Sequence, residues 1–347
     1  MRGIYVADVG DGLCMAIQTI FGEVIQIDCG GQDGSSVALN GLKRIFNHFH
    51  TPDVFILSHF HIDHYNGLLY APINCCGLPF FRIRRVYYPR IPEFREKEKF
   101  LCCLFAINMR VFGSETGVME YDFLRTISRI NRIDFEYKPL SKGDIVNING
   151  SVFEVLWPPA VIDNERTLSI INKAIEDFEK AVEEDGETRE LYNIVKREGI
   201  FRIYLEEESR KRELKEFNNK YINTRYQRGE LPEVVKKANK SLRRAANHLG
   251  LAFFEDNRFL FLGDTENFEI KQIVDDLKSK GRRNFYIFIT PHHGTHWNNS
   301  LYKIRCIYSI SSNGNKLCSK MSPHFKEIAK ISLATWANGD IIIPYIR

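Results

Sequence analysis

A six-residue segment, His59 to His64, constrains the fold and chemistry of this chain more than any other. It holds three of the chain's ten histidines and an aspartate, and it follows an apolar run, 54–57. If that run is a buried strand, His59 and His61 point the same way, because side chains alternate along a strand. Asp63 and His64 follow on the turn and can reach a second, adjacent position. Neutral imidazole and carboxylate are ligands of zinc-type ions, so the spacing predicts a two-metal site.

Four further motifs accompany this HxHxDH pattern, in a fixed order along the chain. They are the segments at 5–12 (YVADVGDG), 24–31 (VIQIDCGG), 259–265 (FLFLGDT) and 287–295 (IFITPHHGT). Together the five motifs resemble those of the metallo-β-lactamase superfamily. The opening segment is similar to the DVGxGD motif in the hydrolase domain of competence-type DNA-uptake proteins, the ComEC/Rec2 group. The resemblance covers only that hydrolase domain, so it does not imply a transport role.

The resemblance implies an α/β chain folded as the four-layer αββα metallo-β-lactamase sandwich, with one hydrolase domain over residues 1–347. It also implies two divalent metal ions as cofactors. Zinc is expected first, with manganese or iron as alternatives, since spacing does not separate these metals. The implied ligands are His59 and His61 for the first ion, Asp63, His64 and one member of the pair His292-His293 for the second, and Asp264 as a bridge.

Two residues are left open between roles. His248 is the single histidine between Tyr65 and Gly263, and it precedes a predicted hairpin at 251–262. That position suits a further ligand of the first ion, and it also suits the NxSL-like segment of the competence-type proteins. Asp28 is expected either to orient a histidine ligand or to cap a turn.

The expected chemistry is hydrolysis by a hydroxide held between the two ions, because two cations lower the pKa of water from about 15.7 to near 7. Asp63 is expected to orient the attacking water as well. The leaving group would take its proton from the member of His292-His293 that does not bind metal, from His296 or from Tyr65. The candidate catalytic residues are therefore Asp63, His293 and His296.

The composition changes at about residues 162–242, where charged residues become dense. Apolar residues recur there at helical spacing on one face, and a further helix is predicted to begin at Pro232 and to end near Gly250. The residues of the apolar face are Leu168, Ile171, Ile175, Phe178 and Val182. This charged helical insertion has two interpretations: a lid or substrate platform over the metal site, or a docking surface for a protein partner.

Net charge is +4, so composition neither requires nor excludes a nucleic-acid partner. Two basic runs are more informative, and Tyr87 and Tyr88 are interleaved with the first. Basic and aromatic residues together suit a phosphate backbone with stacked bases, whereas the alternative is a solvated helix face and an edge strand. The runs are Arg82, Arg84, Arg85 and Arg90, and then Lys236, Lys237, Lys240, Arg243 and Arg244.

No apolar stretch approaches the length of a membrane span, and the N-terminus lacks a signal-peptide pattern. We therefore expect a cytoplasmic protein with no membrane association. Its eight cysteines include the adjacent pairs Cys75-Cys76 and Cys102-Cys103. Adjacent cysteines make poor disulfides, so reduced and mostly buried thiols are expected.

Fold and metal site do not fix the substrate. The favoured function is a metal-dependent phosphodiesterase or nuclease that acts on nucleic acid or a nucleotide. One alternative is hydrolysis of a small lactone, thioester or β-lactam. Another is a metal-binding regulatory or scaffold subunit of a multi-protein system. A basic cleft beside the metals would favour the first, a closed apolar pocket the second, and a site covered by the insertion the third.

Overall fold

Two β-sheets form the centre of the protein, whose structure is a computed structural model that describes residues 1–72, 81–117, 122–206, 208, 210–212 and 228–344. The strands, in chain order, are β1 (Gly3–Val6), β2 (Gly12–Gln18), β3 (Val24–Gly31), β4 (Val54–Ile56), β5 (Arg85–Pro89), β6 (Phe135–Leu140), β7 (Ile145–Ile148), β8 (Ser151–Trp157), β9 (Arg210–Arg212), β10 (Ala252–Glu255), β11 (Phe259–Phe261), β12 (Asn284–Ile289), β13 (Arg305–Ser311), β14 (Ala329–Ala334) and β15 (Ile341–Pro344).

Within the described ranges, the first sheet has the strand order β15-β1-β2-β3-β4-β5-β6-β9, and the second has the order β14-β13-β12-β11-β10-β8-β7. The helices are α1 (Ser35–His48), α2 (Asn66–Tyr70), α3 (Lys97–Thr116), α4 (Phe123–Ile130), α5 (Glu165–Glu184), α6 (Gly186–Glu198), α7 (Glu233–Asn247), α8 (Asn267–Ser279), α9 (Phe325–Ile328) and α10 (Thr335–Asn338).

The two sheets pack face to face, and helices cover the outer face of each. Apolar residues of both sheets meet in one buried cluster, which includes Ile25 and Ile27 of β3 and Phe261 of β11. Because side chains alternate along a strand, others point outward. Phe55 of β4 belongs to a core cluster that includes apolar residues of helices α1 to α7, and Phe288 of β12 belongs to one that includes residues of α8 and α9. The predicted αββα sandwich is therefore confirmed.

The strands that lead into the sequence motifs run parallel, and this brings the motifs to one edge of each sheet. Strands β3 to β6 are parallel neighbours in the first sheet. Strands β11 to β14 are parallel neighbours in the second. Parallel strands end at the same edge, so the segments after β3, β4, β11, β12 and β13 collect at the carboxyl edges, where open α/β sheets commonly bind ligands.

Helices occupy the segment predicted as an insertion. Ile171, Ile175 and Phe178 of α5 are buried on the predicted apolar face. They belong to the same core cluster as the first sheet. Asp177 of α5 accepts a hydrogen bond from the Ser241 hydroxyl of α7 at 2.7 Å, which joins these two helices. The helices of this segment therefore belong to the first sheet's helical layer, and α7 is joined to α5 within it.

Two expectations about tyrosines are wrong. Tyr87 and Tyr88 lie in β5, a central strand, which buries Tyr87 between the sheets and Tyr88 beneath the helices. Neither ring can stack on a nucleic-acid base. Tyr65 is fully buried, and its hydroxyl accepts a hydrogen bond from Asn108 Nδ2 at 2.9 Å. It therefore cannot serve as a proton donor to a substrate.

The predictions about free thiols and membrane spans can be checked only for the described residues. Cys102 and Cys103 of α3 are buried free thiols, as predicted. Cys75 and Cys76 lie outside the described residues. Of the helices in the described ranges, none combines the length and apolarity needed to cross a membrane.

Asp340, just before β15, makes polar contacts with residues of β1, of the segment after β1 and of α1. Its carboxylate makes a bidentate ion pair with Arg44 of α1, with Nε–Oδ2 and Nη2–Oδ1 distances of 2.8 and 3.0 Å. It also accepts hydrogen bonds from the Tyr5 hydroxyl at 2.5 Å and from the Asp8 backbone N–H at 2.8 Å. Burial raises the pKa of Asp340, but these three partners outweigh it and bring the pKa below its usual value.

Asp340→Asn should destabilise the protein by about 1–3 kcal/mol near neutral pH, because hydrogen bonds to a charged acceptor are lost. A carboxylate with a lowered pKa stabilises the folded state above its unfolded pKa of about 3.9, and this contribution is lost as pH falls through the folded pKa. The difference in unfolding free energy between wild type and variant, measured with urea, should therefore shrink between about pH 5 and pH 3.

The control for this measurement is Asp163→Asn, at an exposed aspartate, which should leave the unfolding free energy unchanged at each pH. A difference for Asp340→Asn that stays constant into the acid range would contradict the role given to its charge.

Candidate metal centre

The HxHxDH segment leaves the first sheet at the end of β4, and Ile62–His64 form a single 3₁₀ turn. All four polar side chains of the segment are buried. His59 is 1 % exposed, His61 and Asp63 are each 3 % exposed, and His64 is 0 % exposed. Burying imidazole and carboxylate away from water is costly unless each group has a partner or a ligand.

Asp264 and His293 approach the same point from the second sheet. Asp264 follows β11, and His293 follows β12. One oxygen of Asp264, Oδ2, lies 3.4 Å from His64 Nε2 and 3.4 Å from His293 Nε2. This oxygen therefore lies between imidazoles supplied by the two sheets, which is where a bridging ligand was predicted.

The ligand-type atoms fall into two groups that share His64. His59, Asp63 and His64 offer atoms that lie within 4.8 Å of one another, and so do His64, Asp264 and His293. The two groups adjoin at His64, whose Nε2 can bind only one ion, so two neighbouring cations would divide these five residues between them.

His64 and His293 each have one ring nitrogen held in place and the other without a partner. Nδ1 of His64 lies 2.7 Å from Asp28 Oδ2, and Nδ1 of His293 lies 2.9 Å from the Ser312 carbonyl oxygen. Both Nε2 atoms are buried and have no hydrogen-bond partner in the described part of the chain. Metal-binding histidines are oriented in this way, so the residues present fit divalent ions.

Asp28 orients a histidine, which is one of the two roles left open for it. Its carboxylate also accepts hydrogen bonds from the Ser58 backbone N–H at 2.7 Å and from the Ser58 hydroxyl at 2.5 Å. The backbone of Asp28 has φ 52°, a left-handed conformation that aspartate and asparagine adopt more readily than most residues. The carboxylate of β3 is thereby fixed against the segment that follows β4.

The electrostatics of the centre favour positive charge. Burial holds the pKa of His59 and of His61 well below the usual range, so both rings are neutral and can donate a lone pair. Burial lowers the pKa of His64 too, but the carboxylates of Asp264 and Asp28 outweigh it and raise that pKa to about 9. A site that keeps a proton on a fully buried imidazole is one that would also favour a metal cation.

The two oxygens of Asp63 have different surroundings. Oδ1 contacts His61 Nδ1 and lies 3.9 Å from His64 Nε2. Oδ2 accepts hydrogen bonds from Gln32 Nε2 at 3.1 Å and from Arg243 Nη2 at 2.7 Å. One oxygen thus faces the centre while the other is held by neighbours. No sequence pattern pointed to Gln32, and Arg243 was indicated only as part of a basic run.

Three candidate ligands, His61, His248 and His292, lie outside these two groups in the described ranges. The His61 ring lies 6.3 Å from the His59 ring and nearly parallel to it. Nδ1 of His248 lies 2.7 Å from Glu269 Oε1, while its Nε2 is buried and has no hydrogen-bond partner among the described residues. His248 therefore resembles His64, because one ring nitrogen is held by a carboxylate and the other has no hydrogen-bond partner. The sequence did not reveal that Glu269 is this partner. The ligand roles of His61 and His248 stay predictions.

His292 turns away from His293 and belongs to a third group. Both residues have left-handed backbones, with φ 48° and 60°, and their rings are inclined by 84°. His292, His296 and Glu266 offer ligand-type atoms within 4.8 Å of one another. Within this group, His296 Nδ1 lies 3.6 Å from Glu266 Oε2. All three residues are partly exposed, so they are accessible in a way that the buried centre is not.

The N-terminal DVGDG motif supports the centre indirectly. Asp11 accepts hydrogen bonds from three backbone N–H groups within 314–317, the closest from Gly314 at 2.7 Å. A Cβ on Gly314 would lie 2.7 Å from the Asp11 backbone nitrogen, so glycine is required there. This contact fixes the segment after β13, whose Ser312 carbonyl holds His293.

A scan of protein-family models and a search of curated proteins find no match to this chain. Among solved structures, a diphosphatase from the PhnP family is similar at 12 % identity and a TM-score of 0.39, over 100 % of this chain and 98 % of that one. A long-form RNase Z from yeast has 8 % identity and a TM-score of 0.38, over 89 % and 37 %. MEM-A1, a subclass B3 metallo-β-lactamase from a soil metagenome library, has 11 % identity and a TM-score of 0.25, over 44 % and 48 %.

Asp28→Asn should weaken Zn²⁺ binding by about 10–100-fold, because the His64 imidazole loses the carboxylate that orients it. Asparagine tolerates the left-handed backbone of this position, so the fold should persist. Competition with a chromophoric chelator measures the affinity, and circular dichroism checks the fold.

Asp256→Asn is the matched control. Asp256 also has a positive φ, 44°, but it lies in the turn between β10 and β11, where it pairs with Arg282. Zn²⁺ affinity should be unchanged in this variant. Equal losses of affinity in both variants would show that the effect does not come from the contact of Asp28 with His64.

Proposed function

We propose that this chain is a metal-dependent phosphodiesterase that acts on nucleic acid or on a nucleotide. One observation supports this above all: two groups of buried ligands share His64, and Asp264 lies between His64 and His293. Two divalent ions bound there would supply hydroxide at neutral pH and would polarise a phosphoryl oxygen. Zinc is the ion we propose first, because imidazole and carboxylate ligands suit it.

The chain's own residues would hold and orient the ions. Asp28 and the Ser312 carbonyl orient His64 and His293, and Gln32 restrains Asp63. We propose that the ligands are His59, His61, Asp63, His64, His248, Asp264 and His293. His293 is thereby proposed as a ligand and not as a proton donor.

His296 is proposed to protonate the leaving group. It is partly exposed, and its Nδ1 lies 3.6 Å from Glu266 Oε2. Imidazole is the side chain that most often acts as a general acid in hydrolysis. The His292 ring lies 3.9 Å from the His296 ring, so the proposed donor is next to the segment that carries the ligand His293.

Positive charge near the centre supports an anionic phosphate ester over a neutral carbonyl substrate. Arg243 lies 2.7 Å from Asp63, a proposed ligand. The second basic run does not act as a whole, however, because Lys236 and Lys237 are paired with acidic side chains on the insertion. The support from this run is therefore local to Arg243.

A second candidate function is a metal-binding regulatory or scaffold subunit, with the insertion as the docking surface for a protein partner. It is favoured by the burial of the ligands next to α7, since Asp264 and His293 are each only 5 % exposed. We propose a cytoplasmic location for either function, because the described cysteines are free thiols.

The full chain purified with its metals should contain about two ions, since the seven proposed ligands are enough for two neighbouring ions. It should hydrolyse bis(p-nitrophenyl) phosphate and at least one of labelled single- or double-stranded DNA or RNA. An Asp63→Ala, Asp264→Ala double variant should lose this activity, because both groups lose a carboxylate. An Asp163→Ala, Asp256→Ala variant, with the same change in charge at exposed positions, should retain it.

Other results separate the alternatives. Two ions with cleavage of lactones or thioesters, but not of phosphodiesters, would indicate a carbonyl hydrolase. Two ions with no hydrolysis of either class would indicate the scaffold function. A chain that binds no metal would contradict the candidate centre itself.

His296→Gln should slow hydrolysis of a nucleic acid by about 10²–10⁴-fold, because its alkoxide leaving group needs a proton. Hydrolysis of bis(p-nitrophenyl) phosphate should change little, because p-nitrophenolate leaves without protonation. Rates on both substrates, with His48→Gln as the control at an exposed helical histidine, test the assignment. Equal slowing on both substrates would argue against His296 as the proton donor.

A further inference from the structure

One helix of the insertion lines the candidate metal centre with a row of polar side chains. Asn239, Arg243 and Asn247 of α7 are spaced four residues apart, so they lie on successive turns of one helix face. We call these three residues the polar stripe. Other apolar residues of α7, among them Ala238, Leu242 and Ala245, pack in the core on another face.

Each residue of the polar stripe contacts a different part of the site. Asn239 Oδ1 lies 3.5 Å from His61 Nε2. Arg243 Nη2 lies 2.7 Å from Asp63 Oδ2. The helix therefore extends across the HxHxDH segment, with the guanidinium at its middle.

The far end of the stripe contacts the third group of the site. Asn247 Nδ2 lies 3.4 Å from His292 Nδ1 and 3.4 Å from Glu266 Oε1. The stripe thus connects the buried centre with the partly exposed residues next to the proposed proton donor. A substrate that bound at both places would lie against α7.

Arg243 has guanidinium N–H donors that make no hydrogen bond within the described residues. A guanidinium carries five N–H donors, and within the described residues Arg243 makes one hydrogen bond, to Asp63. Its side chain is 30 % exposed, so part of the guanidinium is accessible from solvent. The planar, charged fork of arginine matches the oxygens of a phosphate group.

Charge balance selects the type of ligand. Asp63 and Asp264, the carboxylates proposed to touch the ions, carry two negative charges against the four positive charges of two divalent ions, and Arg243 adds a positive charge beside Asp63. The carboxylates of Asp28 and Glu269 lie behind the histidines, so they would not occupy the open positions of the ions. A neutral carbonyl substrate would leave this excess of positive charge uncompensated, whereas an anionic phosphate group would reduce it. The buried position strengthens this preference, because the site is shielded from bulk water.

We propose that the polar stripe of α7 is the binding site for the anionic oxygens of a phosphate ester, with Arg243 as the specificity-determining residue. This inference rests on the proposed phosphodiesterase function, and it assigns the insertion to substrate recognition. Asn239 and Asn247 supply amide groups on either side of the guanidinium. Arg243 would bind the phosphate group and would not bind either ion.

The test measures phosphate binding directly, so it does not depend on turnover. Inorganic phosphate is titrated calorimetrically into the metal-loaded full chain and into metal-loaded Arg243→Met and Arg243→Lys variants, with metal content counted in each. Arg243→Met should keep its metal content and bind phosphate about 10–100-fold more weakly, as expected for loss of a hydrogen bond between charged groups. Arg243→Lys should recover part of the affinity, since the charge remains but the fork is lost.

Arg197→Met is the matched control, because Arg197 belongs to the same insertion and pairs with Glu198 on the surface at 3.1 Å. Its phosphate affinity should equal that of wild type. With bis(p-nitrophenyl) phosphate as substrate, Arg243→Met should raise KM by a similar factor.

Three results would overturn the proposal: no phosphate binding by metal-loaded wild type, unchanged binding by Arg243→Met, or loss of metal from Arg243→Met. The last would make Arg243 a residue that positions Asp63. Phosphate binding that depends on Arg243, in a chain that cleaves no phosphodiester, would retain the binding site and reject the proposed function.

Discussion

The structure depends on keeping a cluster of ligand-type side chains out of water. His64, Asp264 and His293 are buried together, with 3.4 Å between the shared carboxylate oxygen and each imidazole. Nitrogen atoms that face this point lack hydrogen-bond partners in the described part of the chain. Such burial costs free energy unless a cation compensates it, which couples metal binding to the stability of the fold at this edge. The outer contacts, Asp28 above all, keep the imidazoles oriented toward the same point.

The cluster also explains why two sheets are needed. His64 follows β4 in the first sheet and Asp264 follows β11 in the second, so the 3.4 Å between them exists only while the sheets stay packed face to face. Contacts at the chain ends maintain this arrangement. Asp11, near the N-terminus, holds the segment after β13. Asp340, which directly precedes β15, forms an ion pair with Arg44 of α1. Residues far from the centre in sequence thus fix the geometry of its ligands.

Much of this could be predicted from sequence because the information is local. Helical spacing of apolar residues predicted the buried face of α5, and the spacing within the HxHxDH segment predicted residues that do lie together. Contacts set by tertiary packing could not be predicted in the same way. Glu269 beside His248 is one example, because 21 residues separate the two. The burial of Tyr88 is another, because it follows from the central position of β5 in the sheet.

The insertion shows where sequence and structure complement each other. The four-residue spacing of Asn239, Arg243 and Asn247 is visible in the sequence, but only the structure shows that this face of α7 contacts His61, Asp63 and His292. The same helix is held to α5 through Ser241 and Asp177, so the orientation of the polar stripe depends on the packing of the whole insertion. A docking surface alone would not need polar contacts with His61, Asp63 and His292. Those contacts place α7 beside the candidate metal centre.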